Sequence, residues 1–221
     1  MSRPVPITRA GFALVALAAL VSCASTPEEA PGSGTDPAVA RQASIVGSFQ
    51  ARGQAGLDRL KQSDMQRICS DHEGQPLPNE LAQQIIDAAT ASVRFPADGQ
   101  YFGNWRNGEW IAKTGTGLQA NDDPAQPNGG NCYACHQMAP AELAFGTLGP
   151  PLDRYGALRG RSEPILKYTW TRLWNSHAYN ACSHMPRFGD AGILSEQQLK
   201  DVMAYLFDPA SPVNQAAQSA P

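Results

Sequence analysis

Apolar residues recur at helical spacing in several stretches of this chain, separated by runs rich in Gly, Pro and Asn. Leu57, Leu60, Met65 and Ile68 suit one apolar face around a break at Ser63, which reads as a helix cap. Pro76 and Pro78 close that unit, and Asn79 begins a second helix carrying Leu81, Ile85, Ile86 and Ala89. Residues 104–112 predict a short helix with Gly108 inside it. A glycine there costs up to about 1 kcal/mol, so its presence implies close approach of another helix. Residues 118–131 read as a loop. Ser195 and Gln198 form a capping-box pattern ahead of Leu199, Val202, Met203 and Leu206, and Asp208-Pro209 ends that helix. The chain is therefore expected to be mainly α. A helical extension occupies 45–100 and the main body 101–212, and a disordered tail is expected over 213–221.

The amino terminus reads as an export signal over 1–22. Arg3 and Arg9 give a positive start, and Gly11 to Leu20 form an apolar run too short to span a membrane. Leu20-Val21-Ser22-Cys23 reads as a lipobox, making Cys23 the lipidated first residue of the mature chain. The other reading is an ordinary signal peptide with Cys23 incidental. A small residue directly before a cysteine, at the end of the apolar run, favours the lipoprotein. Both export the mature chain to the periplasm, and on the lipoprotein reading it is held to a membrane by a lipid anchor only. Residues 23–44 are small and polar and read as a flexible tether. Removing Arg3 and Arg9 with the signal lowers the net charge from −3 by two, to −5, which argues against a nucleic-acid partner.

The chemistry centres on Cys132-Tyr133-Ala134-Cys135-His136, the spacing for covalent attachment of a c-type haem. The two thiols would form thioethers with the haem vinyl groups, and His136 would ligate the iron. A redox dithiol would not require the adjacent histidine, and a zinc site would want a second ligand pair. Ligating histidines donate their second ring N–H to an oxygen, and the carbonyl of Pro150 is the candidate acceptor. For the opposite axial position, Met138 is too near His136, Met203 belongs to the last helix and Met65 lies far upstream. Met185, in Cys182-Ser183-His184-Met185-Pro186, is the candidate, with His184 and His177 as rivals. Tyr168, Trp170, Trp174 and Tyr179 read as pocket wall or core. Arg154, Arg159, Arg161 and Arg187 could reach haem propionates, with surface solvation the expected role of at least two of them. With three cysteines assigned to haem and lipid, Cys69 and Cys182 remain, and a disulfide between them is expected.

The runs GNCYACHQ, GTLGPPL, NACSHMPRFG and GILSEQQLKDVMAYLFDPASPVN together resemble SoxX, the mono-haem subunit of the SoxAX cytochromes of sulfur oxidation. The resemblance covers most of 57–214. It implies a class I cytochrome c fold over 101–212 behind the amino-terminal helical extension, and one covalently bound haem c on Cys132, Cys135, His136 and Met185. It also implies a heterodimer with a SoxA-type cytochrome, in an L-cysteine S-thiosulfotransferase that oxidatively joins thiosulfate to the SoxYZ carrier. Electrons would leave to a downstream cytochrome c acceptor. In that family the reactive cysteine belongs to SoxA, so no catalytic residue is assigned here. Phe188 would meet the partner, with Arg187 at the margin. The lipobox departs from many relatives, which look soluble. A stand-alone lipid-tethered electron carrier is the alternative, and a haem sensor, which needs an open distal site, a weaker third.

Overall fold

Two helices, α4 (Trp105–Lys113) and α7 (Glu196–Phe207), pack against each other at the centre of the computed structural model, which describes residues 36–215. Every residue of α7 from Leu199 to Phe207 is buried, as expected of a helix surrounded by protein. Gly108 lets the two backbones meet. A Cβ there would strike the Asp201 carbonyl and stand 2.8 Å from the Tyr205 Cβ. Asp201, itself buried, accepts hydrogen bonds from the Asn104 N–H (2.7 Å) and Gln197 Nε2 (3.0 Å). Its carboxylate thus sits at the start of α4, where the helix dipole favours negative charge. Ser195 caps α7 in a complete capping box with Gln198.

The other described helices are α1 (Pro37–Ser48), α2 (Asp64–Asp71), α3 (Asn79–Ser92), α5 (Tyr155–Arg159) and α6 (Glu163–Trp174). Short 3-10 turns lie at Leu57–Leu60, Cys132–Ala134, Ser176–Ala178 and Pro212–Asn214. Among the described residues there is no β-strand beyond an isolated bridge between Arg52 and Ala55. The fold is mainly α. Trp170 of α6 is fully buried, and its Nε1 donates to the Arg94 carbonyl (2.7 Å) just beyond α3. Ser63 caps α2 in a capping box with Gln66, and Asn79 opens α3, with Ile85 and Ala89 facing inward. Leu57 departs from the expected apolar face and is exposed.

Two terminal expectations are corrected. Part of the expected tether is helical: Asp36 Oδ1 accepts from the Ala38 N–H (2.9 Å), Pro37 takes the first position, and α1 follows with all its residues exposed. Ala-rich sequence with a capping Asp and a first-turn Pro favours this. The expected disordered tail is ordered at its start. Val213 is fully buried and accepts from the Arg154 N–H (2.7 Å), and Asn214 Nδ2 donates to the carbonyls of Leu206 (3.0 Å) and Asp208 (2.9 Å). These bonds satisfy acceptors left open at the end of α7. Cys23 and residues 216–221 lie outside the described residues.

Candidate functional site

The C-terminal end of α4 delivers the chain into the cysteine motif. Gly130 N–H donates to the Ile111 carbonyl and Asn131 N–H to that of Thr114, both at 2.8 Å. Cys132–Ala134 then forms a tight turn, closed by the Cys135 and His136 N–H groups on the Cys132 carbonyl. Tyr133 points inward from between the cysteines, its hydroxyl 2.7 Å from that of Tyr205 on α7 and accepting from the Ala139 N–H (3.0 Å). The motif is thereby pinned to the central helix. Among the described residues Cys132 and Cys135 form no disulfide, whereas Cys69 and Cys182 are joined in one. Burial pushes the Cys132 thiol up to about 12. Reactive C-x-x-C thiols are displaced the other way, so Cys132 lacks the lowered pKa of a redox-active thiol. Among the described residues no three His, Cys, Asp or Glu side chains are grouped to hold a metal ion.

His136 is half-buried, and its Nδ1 lies 2.7 Å from the Pro150 carbonyl oxygen. A carbonyl only accepts, so Nδ1 carries the proton and Nε2 keeps a free lone pair. The loop bearing Pro150 is laced to the motif by Gly146 N–H on the Tyr133 carbonyl (2.8 Å), Gly149 N–H on that of Cys135 (2.8 Å) and Leu152 N–H on that of Gln137 (2.7 Å). Gly149 lies directly against the imidazole: a Cβ there would collide with Cε1 and Nδ1 and fall 2.7 Å from Nε2. The ring and its acceptor fit only because that position has no side chain.

Met185 occupies a loop fastened on both sides. Its carbonyl accepts from Ser176 Oγ (2.8 Å) and its N–H donates to Ser183 Oγ (3.2 Å). The side chain is half-buried and packs on the same core as Cys132 and Leu152. Met138 and Met203 are spent in the core, at 1% and 0% exposure, and Met65 lies on α2. His184 is exposed. His177 is buried, and its Nδ1 is held by the Ala181 carbonyl at 2.5 Å. That burial pulls its pKa below the usual histidine value.

Several residues stand elsewhere than expected. Phe188 is 5% exposed and part of the core, so it does not present a contact surface; the Leu194 N–H donates to its carbonyl and seats it inward. Arg187 pairs with Asp190 (3.2 Å). Arg161 donates to the Phe207 carbonyl and lies over the Phe102 ring, and Arg159 lies over Tyr155. Tyr168 and Tyr179 flank Arg172 in an outer aromatic group, with Tyr179 at 45% exposure. Trp174 is different. Its carbonyl accepts from Gly189 and Asp190 N–H, yet its Nε1 is buried with no hydrogen-bond partner among the described residues. Sequence reasoning missed this donor and the part of Gly149; a glycine immediately before the acceptor proline was the available signal for the second.

Among the described residues no helix is long and apolar enough to cross a membrane. No protein-family model matches the chain. It is 31% identical over 213 residues to a protein of Aquifex aeolicus (strain VF5) named "Uncharacterized lipoprotein", a match covering 92% of this chain and 97% of that protein. At that identity and coverage, the chain belongs to the family of this Aquifex lipoprotein.

Proposed function

We propose that this chain is an exported, lipid-tethered mono-haem cytochrome c of class I fold, acting as the SoxX-type electron-accepting subunit of a SoxAX thiosulfotransferase. The observation that carries the haem assignment is the His136 Nδ1 contact with the Pro150 carbonyl, beside two unpaired cysteines at attachment spacing. It leaves Nε2 as a ligand on a ring of fixed tautomer. The residues present fit the group. Cys132 and Cys135 would hold it covalently, His136 and Met185 would be the axial ligands, and Gly149 leaves the imidazole its room. Trp174 Nε1 is a buried donor without an acceptor among the described residues, and haem carries carboxylates. When bound, the haem supplies one-electron transfer, and methionine opposite histidine raises its reduction potential. The lipid anchor at Cys23 and the periplasmic location are supported by the lipobox and by the name of the Aquifex relative.

The sulfur-oxidation role rests on the resemblance of the MPRFG loop and the motifs around it. On this reading the chain accepts electrons when a SoxA-type partner joins thiosulfate to the SoxYZ carrier, and passes them to a downstream cytochrome c. It supplies no nucleophile of its own. The test has two stages. The purified protein should give a c-type pyridine haemochrome that Cys132→Ala with Cys135→Ala abolishes; a surviving signal refutes the haem assignment. Mixed with a SoxA-type cytochrome and the carrier, its haem should become reduced on addition of thiosulfate. If it stays oxidised, the chain is a stand-alone electron carrier.

A further inference from the structure

The loop bearing Met185 is fastened to the amino-terminal extension at two points, and both hydrogen bonds on the Met185 backbone come from residues beside those points. At the first, α3 packs along the Ser176–Ala178 turn, and Asn175 Nδ2 donates to Ser92 Oγ (3.1 Å). The next residue, Ser176, donates its hydroxyl to the Met185 carbonyl at 2.8 Å. At the second, Cys182 is bonded to Cys69 of α2 across 113 residues of sequence. The next residue, Ser183, accepts from the Met185 N–H at 3.2 Å.

We infer that this strap, Asn175-Ser176 docked on α3 and Cys182-Ser183 tied to α2, is a positioning device that holds the Met185 sulfur in place as an axial ligand. The inference rests on the haem reading above. Two observations separate it from a merely stabilising crosslink. α2 buries none of its residues and has no extensive packing against another helix, so the disulfide completes no core there. Its restraint falls instead on the loop, three residues before Met185. A thioether is a neutral, soft and weak ligand, so its occupancy depends on how far its backbone is pre-set. Met185 has its N–H and its carbonyl both held by side chains, and both of those side chains are adjacent to a fastening point.

The experiment uses full-length haem-loaded protein as wild type, as Cys69→Ala with Cys182→Ala, and as Ser176→Ala. Three quantities are read: covalent haem per chain, the near-infrared band of ferric iron–methionine ligation, and the affinity for added imidazole. Imidazole competes only with unligated iron, so its apparent affinity rises with the fraction of chains in which Met185 is off. The double variant should keep its covalent haem, lose much of the band, and bind imidazole about tenfold more tightly as that fraction grows. Ser176→Ala, with the disulfide intact, should shift both readouts the same way by less, which keeps the test alive if the double variant does not fold. Folded variants with wild-type band and imidazole affinity overturn the inference while leaving the haem reading intact. A wild type with no covalent haem overturns both, whereas a haem-loaded wild type with no such band overturns the inference alone and turns the second ligand position over to His184 or His177.

Discussion

Replacing Gly149 by Ala tests the geometry around His136 most directly. The new methyl would lie on the imidazole, overlapping Cε1 and Nδ1 and 2.7 Å from Nε2. Two responses are open. The ring can turn away and lose the Pro150 acceptor, a hydrogen bond with a net contribution of about 1 kcal/mol. Alternatively the loop can retreat, breaking the Gly149 and Leu152 N–H bonds to the motif. Overpacking a filled site typically costs about 1–3 kcal/mol, and a rigid ring held between backbone segments places this case at about 2–3 kcal/mol. For a body of this size that lowers the melting temperature by about 4–12 °C. Gly130→Ala is the control, because a Cβ there meets nothing closer than 3.5 Å. Thermal unfolding followed by far-ultraviolet circular dichroism compares the two variants with wild type. A Gly149→Ala protein that melts with the Gly130→Ala control would show that the ring does not sit where its Nδ1 meets Pro150.

Gly108→Ala should destabilise by about 1–2 kcal/mol in urea, since overpacking against the Asp201 carbonyl outweighs about 1 kcal/mol of helix propensity gained; an unchanged midpoint would contradict close α4–α7 packing. His177 has its pKa lowered from 6.5 chiefly by burial, so the unfolded chain takes up its proton first as pH falls. Stability should therefore be complete above about pH 6.5 and decline below it, and His177→Asn should flatten that part of a melting-temperature profile. An equally steep decline in the variant would assign the effect elsewhere. Metabolic lipid labelling should mark wild type and not Cys23→Ser, and label in both would reject the lipobox.

Signals that act over three or four residues were readable in the sequence. Ser63 and Ser195 cap their helices through the N–H groups three positions on, and Gly108 marks a crossing because a helix tolerates glycine poorly without cause. Relations set by distant partners were not. Val213 looks like one apolar residue in a polar tail, and it is buried because Arg154 and the end of α7 come to it. Phe188 sits in a loop that suggested exposure, but its ring turns into the core. At the site the Pro150 carbonyl could be picked from the sequence as the acceptor for His136 Nδ1, and the two meet at 2.7 Å. The need for a bare Gly149 depends on two segments meeting 13 residues apart, and the vacant Trp174 donor depends on what surrounds its ring.

The paired hydroxyls of Tyr133 and Tyr205 make the molecule's weak point alkaline. Burial, reinforced by the bond from Tyr133, holds the Tyr205 hydroxyl far above the ordinary phenol range. The unfolded chain gives up that proton near the ordinary value of 10, so the folded state's advantage is whole below that pH and drains away above it. A phenolate there would place an uncompensated negative charge in the seam between the cysteine turn and the central helix. Loss of that proton is thus coupled to parting the cysteine turn from α7, so strong base should undo the site from the inside, by separating the turn from the helix that anchors it.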